Sequence, residues 1–128
     1  MKLLELHNVS VSYEGCEALH EVNLTIDSAD FLGVIGPNGG GKTTLVKAIL
    51  GAVPYTGKID YAPELFDGRE RLIGYMPQIT EFDRAFPISV EEVVLSGLQG
   101  RRGFRHRYTK ADRAKARQLL HDTGLEGL

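Results

Sequence analysis

The sequence has 128 residues, of which 42% are hydrophobic and 25% are charged, as in an average globular domain or a part of one. Its formal net charge of −2 gives by itself no sign of a polyanionic partner. The single cysteine, Cys16, cannot form a disulfide within the chain, so we expect a reducing, cytosolic environment. No apolar run approaches the roughly 18 residues of a membrane-spanning helix.

Short strands are predicted in the first part of the chain. The candidates share an alternating or continuous apolar pattern bounded by turn residues, and they are residues 3–9, 18–26, 31–36, 57–62 and 71–76. The run 31–36, FLGVIG, is apolar throughout, which is typical of a buried strand in a parallel sheet. The sequence therefore indicates an α/β chain with at least one buried strand.

Three helices are predicted, each with a recognisable start or end. The first begins at Lys42, and Gly51 can form its C-terminal cap. Ser89 and Glu92 have the spacing of a capping box at the start of the second helix. A third helix is predicted over residues 109–123, with a threonine as its N-cap and a glycine directly after it.

The loop between strand 31–36 and the first helix matches the pattern G-x-x-x-x-G-K-[ST] in full. Its backbone N–H groups can curl around phosphate oxygens, and glycines supply the torsions and the clearance. Lys42 adds a charge for the β and γ phosphates, Thr43 offers a hydroxyl to magnesium, and Thr44 is a donor near the α phosphate. The predicted phosphate-binding residues are Gly36, Pro37, Asn38, Gly39, Gly40, Gly41, Lys42, Thr43 and Thr44. A purely structural turn is disfavoured because the motif is complete and is flanked by a strand and a helix.

Two further residues narrow the class of protein. Tyr13 precedes the loop in VSYEG, and Gln78 ends the segment LIGYMPQ. With Asn38 of GPNGGGKTT, these motifs give the chain a resemblance to the ATPase subunit of an ABC transporter. The resemblance implies that Tyr13 stacks on adenine, and that Gln78 contacts magnesium and the attacking water, so that Lys42 and Gln78 would be catalytic. A surface aromatic and an ordinary loop amide are the structural alternatives.

The same resemblance implies an α/β P-loop NTPase sheet with an N-terminal antiparallel β subdomain and the start of a helical subdomain. Residues 1–88 would form the nucleotide-binding core, and residues 89–128 would begin the helical subdomain. No apolar run after the loop ends in the Asp-Glu pair that positions magnesium and polarises water. Residues 95–100, LSGLQG, imitate the family's LSGGQ signature but follow Gln78 too closely, and we interpret them as a helix end. We therefore expect an incomplete domain that does not hydrolyse ATP alone.

Residues 79–97 resemble ATPases that power uptake of zinc, manganese or iron, although packing is an equally good role for Phe82 and Phe86. The implied protein is peripheral on the cytoplasmic face of the membrane and binds ATP and magnesium. Its partners would be membrane-spanning subunits and a second ATPase subunit. An ABC-type ATPase of DNA maintenance or repair is disfavoured because residues 89–124 lack sustained heptads. A non-hydrolysing nucleotide-binding module remains open.

Residues 101–117 are strongly basic, with eight Lys or Arg residues and one acid. A solvated linker and helix face is the preferred interpretation, and contact with a membrane subunit or anionic lipid is the second. Nucleic acid is not expected, because few aromatic residues are interleaved with the charges. The four histidines have no ligand spacing, so no metal site is predicted among them.

Overall fold

The computed structural model describes residues 1–68, 70–78, 87–98 and 107–126, and the chain divides into two compact units, residues 1–73 and 74–128. The elements of the first unit are β1 (Lys2–Tyr13), β2 (Cys16–Asp27), α1 (Lys42–Ile49), β3 (Thr56–Tyr61), a 3-10 turn (Pro63–Leu65), β4 (Phe66–Asp67) and β5 (Glu70–Arg71). Those of the second unit are α2 (Val90–Ser96) and α3 (Lys110–Asp122). None of the helices in the described ranges is long and apolar enough to cross a membrane.

The first unit is built on an antiparallel sheet with the strand order β2-β1-β3. β1 and β2 form a hairpin in which Tyr13 pairs with Cys16. The two residues between them, Glu14 and Gly15, have φ values of 45° and 81°. Two positive φ values are typical of a type I′ turn, whose twist matches that of the flanking strands. The N-terminal antiparallel sheet expected from the sequence is confirmed.

A bulge in β1 allows the strand to bury even-numbered residues before it and odd-numbered residues after it. Leu4 and Leu6 are buried before it, and Val9 and Val11 after it. The pairing register with β2 shifts between Leu6 and Val9, where Asn8 has a φ of 47°. Such a shift turns the following side chains to the other face. All four apolar residues therefore face one core.

Packing around the bulge depends on β2 and β3. The Asn8 N–H donates to Oδ1 of Asn23 at 3.0 Å, which gives the displaced backbone group a partner. A β-carbon at Gly57 would lie 2.3 Å from the Asn8 carbonyl oxygen, so only glycine fits there. The core that results lies between the sheet and α1, and its buried residues are Leu4, Leu6, Val9, Val11, Leu19, Ala48 and Ile59.

The helix signals in the sequence are confirmed. Ser89 and Glu92 form a capping box at the start of α2, and α2 ends with Gly97 as its C-cap, which confirms that LSG of LSGLQG is a helix end. Thr109 caps α3. Gly51 and Gly124 follow α1 and α3 with φ values of 70° and 73°. Both glycines form a Schellman motif. After α1, the Gly51 N–H donates to the Ala48 carbonyl and the Ala52 N–H to the Lys47 carbonyl. After α3, the Gly124 N–H donates to the His121 carbonyl and the Leu125 N–H to the Leu120 carbonyl.

Two strand predictions are wrong. Residues 31–36 form no strand, and of residues 71–76 only Arg71 lies in one. Phe31 is fully exposed, and Ile35 and Met76 are 95% and 91% exposed. Backbone groups become a strand only when a neighbouring strand accepts and donates their hydrogen bonds. In the described part of the chain, β4 pairs with Arg71, and no strand pairs with residues 31–36 or 73–76. The predictions for Phe82, Phe86 and residues 99–106 concern positions outside the described residues.

Candidate nucleotide-binding site

The predicted phosphate loop, residues 36–41, is an exposed turn that leads directly into α1. Gly39 and Gly41 have φ values of 82° and 87°, in the left-handed region that residues with a β-carbon rarely adopt. The Gly40 N–H donates to the Pro37 carbonyl at 3.0 Å and closes the turn. The path of this loop therefore requires glycine at two of its positions.

Gly41 meets a second requirement, which comes from β2. A β-carbon at Gly41 would lie 2.5 Å from the Ala18 carbonyl oxygen and 3.1 Å from Cδ2 of Leu19. The first residue of α1 therefore follows a glycine that rests directly on the backbone of β2. Neither Ala18 nor Leu19 was predicted to support the site, and no local sequence signal could show it, because the contact is with a backbone carbonyl.

The Lys42 ammonium lies within the curve of the loop. Its Nζ donates to the carbonyl oxygens of Gly36 and Pro37, both at 2.6 Å. Thr43 is exposed and Thr44 is half-buried in the first turn of α1. A cation and the first hydroxyl groups of the helix are thus grouped at one point, which is the chemistry that a phosphate and its magnesium ion require.

The N-terminus of α1 has no cap of its own. Its N-cap is Gly41, which offers no side chain, and the first turn contains no acidic residue. The partial positive charge of the helix end and its first N–H groups are therefore not neutralised by the helix's own sequence. Together with Lys42, they fit a polyanion such as a triphosphate.

Tyr13 lies on the same strand pair that supports the loop. It is the last residue of β1, is 42% exposed, and comes two residues after Val11, which pairs with Leu19. Because the Leu19 side chain lies beneath Gly41, the hairpin brings Tyr13 and the loop to the same part of the first unit. Gln78 is an exposed residue of the second unit.

The fold and the loop define an α/β protein of the P-loop class, and the comparisons with known proteins give the family. The model of the ABC transporter family matches residues 19–128. The chain belongs to the ABC transporter family.

Relatives and a solved structure agree with this assignment. The chain is 43% identical over 127 residues to a "Probable metal transport system ATP-binding protein" of Chlamydia muridarum, with 97% of this chain and 53% of the relative covered. It is 43% identical over 124 residues to the manganese transport system ATP-binding protein MntB of Bacillus subtilis, with 95% and 49% covered.

A solved structure of an inward-facing ABC transporter, proposed to be of the metal-chelate type, is similar with a TM-score of 0.77 and 30% identity, covering 97% of this chain and 45% of the other. The chain spans about half the length of the curated relatives it matches.

Proposed function

We propose that this protein is the ATP-binding part of an ABC transporter that imports metal cations or metal chelates. The observation that carries the proposal is the uncapped N-terminus of α1 beside the Lys42 ammonium, in a chain of the ABC transporter family. Support for the substrate class comes from relatives that are named for manganese and metal transport.

In the proposed site, each residue has one task. The triphosphate lies along residues 36–44, with Lys42 against the β and γ phosphates and Thr44 near the α phosphate. Tyr13 stacks on the adenine. The Lys42 ammonium is already held within the curve of the loop by two carbonyl groups, so its charge lies beside the segment that would bind the phosphates.

Magnesium fits the oxygen donors that the chain offers, namely the Thr43 hydroxyl and the Gln78 amide oxygen. When bound, it would neutralise charge on the β and γ phosphates. Gln78 would orient the attacking water. We further propose that residues 1–88 form the nucleotide-binding core and that residues 89–128 begin the helical subdomain.

The 128-residue chain is not expected to turn over ATP alone. No apolar run after Thr44 ends in the Asp-Glu pair that the reaction uses to hold magnesium and to polarise water. Nucleotide binding does not depend on that pair, because the phosphate loop and Tyr13 lie within residues 1–44. We propose that catalysis takes place in an assembly with a second ATPase subunit and membrane-spanning subunits at the inner face of the membrane.

The proposal is tested by replacing Lys42 with alanine in the proposed transporter assembly and measuring ATP turnover and cellular metal content. Removal of one preorganised charge from the transferred phosphoryl group is expected to lower turnover by about 100-fold or more. Manganese, zinc or iron content should fall with it. Lys47→Ala is the matched control, because Lys47 is an exposed lysine in the last turn of the same helix.

Each result of this experiment has a separate meaning. Unchanged turnover in Lys42→Ala would refute the assigned site. Lost turnover with normal uptake of all three metals would refute the substrate class and leave the ATPase assignment intact. Stimulation of turnover by DNA, with no effect on metal content, would instead support an ATPase of DNA maintenance.

A further inference from the structure

Arg71, the last residue of β5, lies against the C-terminal end of α1. Its Nη1 is 2.7 Å from the position that a β-carbon on Gly51 would occupy. Gly51 follows Leu50, the C-cap of α1. Because the C-terminal end of a helix carries a partial negative charge, the guanidinium group is electrostatically favoured there.

The same guanidinium group lies over an aromatic ring. Arg71 Cζ is 4.5 Å from the centroid of the Tyr61 ring, within the range of a cation–π interaction. Tyr61 also contacts Phe66 edge to face, with 6.1 Å between the ring centroids. Arg71 is thus held between the end of α1 and the end of β3, an arrangement we call the Arg71 clasp (Arg71, Tyr61 and Gly51).

Tyr61 connects the clasp to α1 by a hydrogen bond. Its hydroxyl donates to the Ile49 carbonyl oxygen at 2.7 Å, in the last turn of the helix. Partial burial raises the pKa of the Tyr61 phenol, although the charge of Arg71 opposes the shift. The hydroxyl is therefore protonated at neutral pH and available as the donor.

The clasp stands at the start of the segment that carries Gln78. After Arg71, the Leu72 N–H still donates to the Leu65 carbonyl at 2.7 Å, and no regular structure follows from there to Gln78. The other end of α1 carries Lys42 and Thr43. One eight-residue helix therefore has the phosphate loop at its first turn and the origin of the Gln78 segment at its last.

We propose that Arg71 is a positioning residue for ATP hydrolysis, which fixes the origin of segment 72–78 to the helix that carries the phosphate loop. The proposal rests on the function proposed above for that loop and for Gln78. Its reason is geometric: the guanidinium group lies against the end of α1, so the segment that follows Arg71 begins at a fixed place beside that helix, and small displacements of groups that act on a substrate reduce rates steeply. Arg71 itself touches neither the nucleotide nor the water.

The first test compares Arg71→Ala with Arg71→Lys in the proposed transporter assembly. Arg71→Ala should lower kcat by about 10- to 100-fold while KM for ATP stays within about twofold. Arg71→Lys should recover most of the lost kcat, since an ammonium group at the helix end keeps both the charge and the cation–π contact. A kcat per active site that equals that of the wild type in Arg71→Ala would overturn the proposal.

The second test moves the guanidinium group without replacing Arg71. Gly51→Ala places a methyl carbon 2.7 Å from Nη1 of Arg71, which is too close for the guanidinium group to stay in place, whereas Gly124→Ala has no atom within 4 Å of the new carbon. Both glycines occupy the same Schellman position with nearly equal φ values of 70° and 73°. The backbone strain is therefore matched, and only Gly51→Ala should lower kcat.

These variants separate the clasp from the proposed function. Equal kcat in Gly51→Ala and Gly124→Ala would refute the clasp. Normal kcat in the Arg71 variants beside an inactive Lys42→Ala would refute the clasp alone. Full activity in Lys42→Ala would refute the proposed site itself.

Discussion

The N-termini of α1 and α3 meet the same requirement in opposite ways. Each helix begins with N–H groups that have no partner within the helix. At α3, the Thr109 side chain accepts from the Asp112 N–H at 3.1 Å, and the Asp112 carboxylate accepts from the Thr109 N–H at 2.8 Å. At α1, the N-cap is Gly41, and the first turn has no acidic residue.

The N-terminal N–H groups of α3 thus find acceptors among the side chains of their own helix and cap, whereas those of α1 do not. The carboxylate of Asp112 neutralises the positive end of α3, and α2 does the same with Glu92. α1 packs through Gly41 on Ala18 and Leu19, and its positive end has neither a capping side chain nor an acidic residue in the first turn. The comparison thus identifies the one of these three helix ends that suits a phosphate group.

The largest loss of stability is expected at Gly41, the N-cap of α1, because this residue packs on β2 and offers no capping side chain. Gly41→Ala adds a methyl group 2.5 Å from the Ala18 carbonyl, and it also places alanine at a φ of 87°. Gly39→Ala is the matched control, because Gly39 has a φ of 82° and no atom within 4 Å. Overpacking should make the free energy of unfolding lower in Gly41→Ala than in Gly39→Ala by about 1–3 kcal/mol. Equal denaturant midpoints would show that α1 does not depend on β2.

Substitutions of Tyr13 test whether the hairpin that supports α1 contributes to ATP affinity. Tyr13→Ala should weaken ATP binding by about 1–3 kcal/mol, whereas Tyr13→Phe should bind nearly as well as the wild type, because stacking requires only the ring. Isothermal titration with ATP measures both. If the phenylalanine variant were as weak as the alanine variant, the hydroxyl group would matter and stacking would be the wrong account.

At Thr109, the N-cap of α3, a substitution should lower stability and leave ATP affinity unchanged. Thr109→Ala should lower the free energy of unfolding by about 1 kcal/mol, since it removes a side-chain acceptor from the N-terminus of α3. Thr109→Ser retains the acceptor and should restore most of the stability. ATP affinity should be unchanged in both variants, and a loss of affinity in Thr109→Ala would contradict the division of roles between α1 and α3.

The smallest effect is a pH dependence at α2. Hydrogen bonds from the Ser89 backbone and side chain lower the pKa of Glu92 below its ordinary value. A lowered folded-state pKa means that the stabilisation is present above the ordinary carboxyl pKa of about 4.3 and is lost as the pH falls through the lower folded value. Glu92→Gln, which cannot titrate, should flatten this part of the stability profile between pH 5 and the acid limit of folding, as measured by thermal melts at about 0.5 pH unit intervals.

Several features were predictable because their causes lie within a few residues. The turn at Glu14 and Gly15, the capping boxes at Ser89 and Thr109, and the C-terminal glycines all depend on local torsions and side-chain bonds. The torsions of loop 36–41 are of the same kind, since Gly39 and Gly41 themselves supply its positive φ values, whereas phosphate binding by the loop stays a proposal. For these elements, reading the amino-acid order was sufficient.

Other features were decided only by the tertiary structure. Segment 31–36 has the composition of a buried strand, yet a strand also needs a partner, and that requirement lies outside its own residues. The need for glycine at 41 comes partly from a carbonyl group 23 residues earlier in the chain, and the Arg71 clasp joins three separate elements. Composition and local pattern determine what a segment requires, whereas the contacts between distant segments determine whether that requirement is met.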